Sequence, residues 1–312
     1  MSKGKVVIVG TGTVGTTYAY ALINQSIVSE LILIDIDEKR AQAEAMDLNH
    51  GLYYANELVN VRKGTYADCH DADIVCLTAG LSQDGNATRL DFSKANTEIF
   101  KSIIPEIIKS RFDGIFIVAT NPVDIMTQVT KMLSGYPAHK VIGSGTLLDT
   151  SRYCYLLSEY LNVNIDSIKG YIIGEHGDSQ VAAISTTTIG EDLLTDVIGN
   201  NEQKKALISK LVENVRDAAP QVLQGKHATH YGIGLGLARL TKAILQDEHA
   251  ILPISSFVQG EYGFKDVYFG TPAVIGSEGV ISIVELKLNE QEQKRLNNSI
   301  KVITDNLALL NI

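Results

Sequence analysis

The sequence has no apolar run long enough to cross a bilayer as a helix, no internal repeat and no low-complexity tract. Those absences argue against a helical membrane protein, a solenoid and a disordered chain. Positive charge is not in excess either: 27 Lys and Arg face 36 Asp and Glu, for a formal net charge of −9. That balance argues against nucleic acid or an anionic membrane surface as a partner, while a local basic pocket for a small anion stays open. Cysteine is scarce. Cys69, Cys76 and Cys154 are odd in number, scattered, and show neither zinc-binding nor redox spacing. They read as reduced thiols of a cytosolic protein, and no metal is expected. Met1-Ser2-Lys3-Gly4-Lys5 leads straight into a short apolar stretch, too short for a signal peptide or an anchor. Without a secretory route, the acceptor pattern Asn86-Ala87-Thr88 reads as coincidence.

What remains is an ordinary globular mixture, with 45% hydrophobic and 20% charged residues over 312 positions. At roughly 150 residues per domain, that length suggests two domains or one large one. In the first half, apolar runs alternate with helical patterns. Lys5 to Val9, Leu31 to Ile34, Asp73 to Leu77, Gly114 to Ala119 and a short piece at Val141 read as strands. The stripe Val14, Tyr18, Ala21 and Leu22, and the stretches Lys39 to Leu48, Asn96 to Lys109 and Val123 to Leu133, read as helices. Such alternation implies an α/β fold, with parallel strands joined by right-handed crossovers. After about Gly143 the rhythm changes. A helix from Leu147 to Leu161 is followed by strands near Tyr171 to Ile173 and Val181 to Ile189. Helical stretches Glu202 to Ala219 and Val222 to Leu245 come next, then strand-like runs ending at Glu285 and a closing helix from Glu290 to Leu310. This half is mixed α+β. The expected boundary therefore separates residues 1–143 from residues 144–312, with no flexible linker and the two halves tightly packed.

Gly10-Thr11-Gly12-Thr13-Val14-Gly15 follows a strand and opens a helix. In a dinucleotide-binding turn, the first glycine permits the tight turn and the second lets the backbone approach a pyrophosphate. The third allows close packing of helix on strand, and the helix N-terminus faces the anion. Alone the pattern is weak, and the alternative is a turn that merely saves space. Here the next strand ends at Asp35, about 20 residues on, where such a fold carries its ribose-binding acid. A carboxylate there accepts from a ribose 2′-hydroxyl and repels a 2′-phosphate. Ile36 and Asp37 follow it, with no arginine, which favours NAD over NADP.

Gly174-Glu175-His176-Gly177-Asp178 ends an expected strand and leaves an uncrowded imidazole. The plain alternative is a satisfied structural histidine. Leu148-Asp149-Thr150-Ser151-Arg152 supplies an acid and an arginine three apart on one helix face. A buried carboxylate can orient an imidazole, and a guanidinium can hold a substrate carboxylate through two parallel hydrogen bonds. An ordinary i,i+3 ion pair is the competing reading. His50, His139, His227, His230 and His249 read as structural or surface groups.

With the glycine turn, these segments resemble the lactate/malate dehydrogenase family, and the likeness covers essentially the whole chain. It runs through Gly10 to Gly15, Asp35, Thr78-Ala79-Gly80, Gln83 to Asp91, Asn121-Pro122-Val123-Asp124, Gly145 to Arg152, Gly174 to Asp178, and Ala228-Thr229 before Tyr231-Gly232. The resemblance implies a Rossmann-type doubly wound parallel sheet that binds NAD, followed by a mixed α+β substrate domain. It implies an NAD-dependent L-2-hydroxy-acid dehydrogenase. Gly10, Gly12, Thr13, Val14, Gly15, Asp35, Thr78, Ala79, Gly80 and Asn121 would hold the cofactor. His176 would exchange a proton with the substrate oxygen, Asp149 would fix its tautomer, and Arg152 would bind the substrate carboxylate. Arg89, on a loop from Leu81 to Asp91 that closes over the substrate, would polarise the carbonyl. Asn121 would bond near the nicotinamide and the substrate oxygen, and Thr229 would line the pocket. The family also implies a cis peptide at Asn121-Pro122.

Specificity turns on Gln83. Malate-type members carry arginine there to pair a second carboxylate, and lactate-type members carry glutamine. A neutral amide offers oxaloacetate no partner, which favours pyruvate/lactate or another monocarboxylate. Two departures bear on this. The loop reads Gln83-Asp84-Gly85-Asn86-Ala87-Thr88, unlike the usual Pro-Gly-Glu-Thr-like run. Pro220 stands where the family often has an aromatic residue; a smaller residue and a kink there would open room for a longer substrate, unless Pro220 is a tolerated turn breaker. Val222-Leu223-Gln224-Gly225-Lys226 and Gly145 to Thr150 look like the L-2-hydroxyisocaproate branch. Malate dehydrogenase and a non-catalytic NAD-binding relative are the remaining alternatives. Many bacterial relatives bind fructose 1,6-bisphosphate through an arginine and a histidine, where this chain has Cys154 and Lys169. Activation by that ligand is expected to be weak or absent. The resemblance also implies a homo-oligomer, usually a tetramer.

Overall fold

A computed structural model describes residues 4–81 and 89–310, without the side chain of Arg89. In chain order the elements are β1 (Gly4–Val9), α1 (Thr13–Asn24), β2 (Val28–Ile34), α2 (Glu38–Gly51), β3 (Asn60–Lys63), β4 (Ile74–Leu77), α3 (Arg89–Lys109), β5 (Ile115–Val118), α4 (Val123–Ser134) and β6 (Val141–Gly143). They continue with α5 (Leu147–Leu161), β7 (Ile168–Lys169), β8 (Ile172–Ile173), β9 (Val181–Ala182), β10 (Thr188–Ile189), β11 (Asp192–Leu193), α6 (Leu194–Ile198) and α7 (Glu202–Lys226). Last come α8 (Tyr231–Leu245), β12 (Ala250–Gln259), β13 (Lys265–Gly276), β14 (Gly279–Ile283) and α9 (Glu290–Ala308).

The first six strands pair in parallel in the order β3-β2-β1-β4-β5-β6. All four residues of β4 and of β5 are buried, which explains their unbroken apolar runs: a parallel strand covered on both faces has no polar side. Alternate residues feed different cores. Val7, Val9, Val75 and Leu77 pack with residues of α3, α4 and α9, while Val6, Ile8, Ile74 and Cys76 pack with residues of α1 and α8. The chain winds outward from β1 through β2 to β3, then returns to the other side of β1 at β4. That reversal opens a crevice beyond the ends of β1 and β4, the position at which doubly wound sheets bind ligands.

The second half departs from the sequence-based expectation in three ways. First, the strand-like runs after α8, whose pairing the sequence leaves open, are β12, β13 and β14, which extend the first sheet antiparallel beyond β6, giving nine strands. The joint is narrow, a single registered pair between Ser255 and Gly143. Gly143 is required there, because a Cβ would lie 2.7 Å from Ser255 Cβ and 2.4 Å from Thr127 Oγ1. Second, the expected strand Val181 to Ile189 is two short strands separated by a 3-10 turn at Ile184–Thr186. Third, the expected helix break at Pro220 is absent. Helix α7 continues through Pro220 to Lys226, and the break falls at His227, whose φ of 61° closes the helix in the left-handed region. Pro220 is exposed and removes only one backbone donor from a long helix, so Ala218, Ala219 and the following residues keep their helical path. Among the described residues no helix is long and apolar enough to cross a membrane.

Candidate active site

The crevice is shaped by backbone rather than by side chains at its floor. Gly10 has a φ of +105°, and a Cβ on it would fall 2.5 Å from the Ala79 nitrogen. A Cβ on Gly15 would fall 2.1 Å from the Gly10 carbonyl oxygen, so α1 sits directly on the end of β1. Gly12 behaves differently: a Cβ there would meet nothing of the chain within 4 Å. It precedes α1 with no side-chain cap, so the first N–H groups of the helix face open space. The Thr78 hydroxyl donates to the Gly10 carbonyl at 2.7 Å and ties β4 to the turn.

Asp35 stands just past β2, at the rim of the crevice. Thr11 donates to its Oδ2 through both N–H (2.6 Å) and hydroxyl (2.8 Å), and the Asp37 N–H donates to Oδ1 at 3.0 Å. Partial burial works against the charge, but these hydrogen bonds outweigh it and hold the carboxyl below its usual range. A carboxylate offers about four lone-pair sites, so room for a ribose hydroxyl remains. The turn, the open helix end and the acid fit a dinucleotide.

The chemical centre gathers groups from distant segments. His176 follows β8, Asp149 lies in the first turn of α5, and Asp149 Oδ2 meets His176 Nδ1 at 2.5 Å. Arg152, one turn further along α5, donates to the other oxygen of Asp149 at 3.1 Å. The Asp149 side chain is 3% exposed, whereas that of His176 is 26% exposed. The acid is thus sealed beneath an imidazole that opens outward. Burial opposes charge on Asp149, yet the neighbouring His176 and Arg152 hold its carboxyl below the usual range. Burial likewise lowers the His176 affinity for protons, but the Asp149 charge and hydrogen bond, with a further contribution from Asp124, raise it above the ordinary histidine value.

The His176 main chain is fixed as firmly as its ring. Its N–H donates to Asp124 Oδ2 at 2.8 Å, and the Ser255 hydroxyl donates to Asp124 Oδ1 at 2.6 Å. Asp124 is fully enclosed, and burial pushes its carboxyl up to about 6. On the other side of the loop, the Glu175 N–H donates to Ser299 Oγ of α9 at 2.8 Å. Helix α5 is anchored to β8 by the Thr146 hydroxyl, which donates to the Ile172 carbonyl at 2.6 Å, and by Thr150 Oγ1, which accepts from the Ile172 N–H at 3.0 Å.

Of the residues singled out from sequence, His176, Asp149 and Arg152 form one cluster. Gly10, Gly12, Thr13, Val14, Gly15, Asp35, Thr78, Ala79 and Gly80 lie at the ends of β1, β2 and β4. Asn121 follows β5 and is exposed, and its bond to Pro122 is cis. Thr229 is half-buried in the loop between α7 and α8. That loop ends beside α5, because a Cβ on Gly232 would lie 2.6 Å from Leu148 Cδ1. Gln83 lies outside the described residues; Arg89 opens α3, and its side chain also lies outside them. Sequence reasoning missed Ser255, Ser299 and the part played by Asp124. Only Asp124 had a signal, being quoted within Asn121-Pro122-Val123-Asp124. Among the described residues no cluster of His, Cys, Asp and Glu is arranged to hold a metal.

Comparison with known proteins gives a consistent result. The profile of the lactate/malate dehydrogenase NAD binding domain matches residues 4–143, and that of the family's alpha/beta C-terminal domain matches residues 146–310. L-lactate dehydrogenase 2 of Bacillus cereus is 50% identical over 311 residues, covering 99% of each chain. L-lactate dehydrogenase of Macrococcus caseolyticus is 47% identical over 299 residues, covering 96% of this chain and 95% of its own. The structure of a minor L-lactate dehydrogenase from Enterococcus mundtii in its ligands-bound form superposes with a TM-score of 0.96 at 42% identity over the whole of both chains.

Proposed function

The chain belongs to the lactate/malate dehydrogenase family, and on that premise we propose that it interconverts pyruvate and L-lactate. It is an NAD-dependent 2-hydroxy-acid oxidoreductase. The observation that carries the substrate reading is the meeting of His176 with Asp149, 27 residues earlier, and of Asp149 with Arg152 at one spot beside a dinucleotide crevice.

Bound nicotinamide supplies the hydride for ketone reduction and accepts it in the reverse direction. Gly12 and the first N–H groups of α1 would receive the pyrophosphate, and Asp35 a ribose hydroxyl. Arg152 binds the substrate carboxylate as a planar donor. Its hydrogen bond to Asp149 fixes the guanidinium before substrate arrives, so less freedom is lost on binding. Asp149 holds Nδ1 of His176, which leaves Nε2 as the atom that passes a proton to the substrate oxygen. Because Asp149 favours the imidazolium, the acid needed for ketone reduction persists to higher pH than on an ordinary histidine. Charge developing on the substrate oxygen is met by His176 and, following the family resemblance, by Arg89 at the head of α3. Asn121 and Thr229 are assigned the nicotinamide side and the pocket wall.

Gln83 supports the monocarboxylate assignment, since an amide leaves a second substrate carboxylate uncompensated. Helix α7 is not broken at Pro220, so the bulkier-substrate alternative rests on the smaller residue there and on the segment resemblances. Cys154 is partly buried, its thiol pushed up by burial, and its Sγ is 3.7 Å from the Gly170 carbonyl. It offers no charge to a sugar phosphate, so activation by fructose 1,6-bisphosphate is assigned as weak or absent. Tyr53, Tyr54 and Leu58 are 83–86% exposed, apolar surface of the kind that subunits cover, in keeping with a cytoplasmic homo-oligomer, a tetramer by family resemblance. NADH oxidation measured in parallel with pyruvate, oxaloacetate and 2-oxoisocaproate tests the assignment. Pyruvate is expected to give the highest kcat/KM, and Gln83→Arg to move preference toward oxaloacetate. A wild-type preference for oxaloacetate or 2-oxoisocaproate overturns it.

A further inference from the structure

Asn96 is fully buried in α3, yet its side chain is polar and its amide is used at both ends. Its Oδ1 accepts from the Leu81 N–H at 2.9 Å, and its Nδ2 donates to the Asn121 carbonyl at 2.8 Å. A donor on one side and an acceptor on the other leave only one orientation for the amide. The two partners lie past different strands, Leu81 beyond β4 and Asn121 beyond β5. Gly80 packs against the same amide, since a Cβ on it would lie 3.2 Å from Asn96 Oδ1 and 2.7 Å from Thr120 Cγ2.

The position of the second bond matters most. Asn121 is followed by Pro122, which has no N–H, so no main-chain donor at that residue can help to hold the loop. Thr120, just before, is held by its hydroxyl, which donates to the Ala79 carbonyl at 2.7 Å. Beyond Pro122, the Met126 N–H reaches the Pro122 carbonyl at 2.9 Å inside α4. Between these points the exposed Asn121 is tethered through its carbonyl by a side chain reaching over from α3.

We propose that Asn96 is a positioning residue for the reaction, setting the main chain of Asn121 and thereby the direction in which the Asn121 side chain enters the crevice. The inference rests on the dehydrogenase reading given above, in which Asn121 faces nicotinamide and substrate. Asn96 itself touches neither.

Asn96→Asp isolates the relevant bond. It keeps an acceptor for the Leu81 N–H and, at a pH where the carboxyl is ionised, offers the Asn121 carbonyl no donor. The experiment is a double-mutant cycle in the full chain, comparing wild type, Asn96→Asp, Asn121→Ala and the pair. It reads kcat/KM for pyruvate and NADH affinity by fluorescence. Loss of one buried hydrogen bond should lower kcat/KM about tenfold or more in Asn96→Asp. In the Asn121→Ala background the same change should cost less than about twofold in kcat/KM and in NADH affinity. An equal cost in both backgrounds overturns the inference. If Asn96→Asp does not fold, Asn96→Ala enters the cycle with the same criteria. A wild-type chain inactive with pyruvate and 2-oxoisocaproate sinks the functional reading and this inference with it. An active wild type with an additive cycle sinks this inference alone.

Discussion

The glycine turn and the histidine centre are both parts of one crevice, but they are built on opposite principles. The turn is local: Gly10, Gly12 and Gly15 lie within six residues, and what they provide is the absence of side chains. The centre is assembled: Asp124, Asp149, His176, Ser255 and Ser299 come from five segments, and what they provide is buried polar groups satisfied by one another. Binding an anion requires open backbone N–H groups. Moving a proton requires one imidazole held in one tautomer, one orientation and one protonation state. The first need can be met by a short motif, the second only by tertiary structure.

The largest effect that separates the two regions should come from His176→Ala. Loss of the proton donor should lower kcat by about 10²–10⁴, with NADH affinity close to wild type. Turnover near the wild-type rate would remove the imidazole from the reaction, and a parallel loss of NADH binding would show that the regions are not separable.

Within the turn, two neighbouring glycines should part company. Gly12→Ala places a methyl in open space, so Tm should hold while NADH affinity falls about tenfold, some 1.4 kcal/mol. Gly10→Ala forces a Cβ onto the Ala79 backbone at positive φ, so stability and NADH affinity should both fall. Equal NADH affinity for Gly12→Ala and wild type would mean that the open space does not receive the cofactor.

The smallest expected effect is a pH shift. The raised His176 pKa means that pyruvate reduction, which needs the imidazolium, persists up to that pKa and is lost as pH rises through it. The stability that His176 gains from its acidic neighbours follows the same direction. It is fully present below the unfolded value of 6.5 and lost as pH rises through the folded value. Asp124→Asn keeps an acceptor for the His176 N–H but removes one negative neighbour. The alkaline limb of kcat/KM should therefore move to lower pH by less than about one unit. An unmoved limb would leave Asp124 a purely mechanical support.

The same contrast explains what could be read from the sequence. Strands β1, β2, β4 and β5 announced themselves because burial on both faces demands unbroken apolar runs. β3, Asn60–Lys63, did not, since it is a polar edge strand with little burial. Asp149 and Arg152 were legible because helical spacing alone brings them together. Ser255 and Asp124 were not, because 131 residues separate a hydroxyl from the carboxylate it meets, and nothing in the local pattern of β12 marks that serine. The helix through Pro220 was misread because local preference suggested a break where a long helix tolerates one missing donor. The extension of the sheet by β12 to β14 depends on a pairing at one residue, which no periodicity can signal.

That pairing has a mechanical consequence. Ser255 registers against Gly143 through its backbone and reaches Asp124 with its hydroxyl, so the seam between the parallel and antiparallel strands is also the seat of the histidine. A change in that one strand pairing would therefore be passed through Ser255 and Asp124 to the main chain that carries the imidazole.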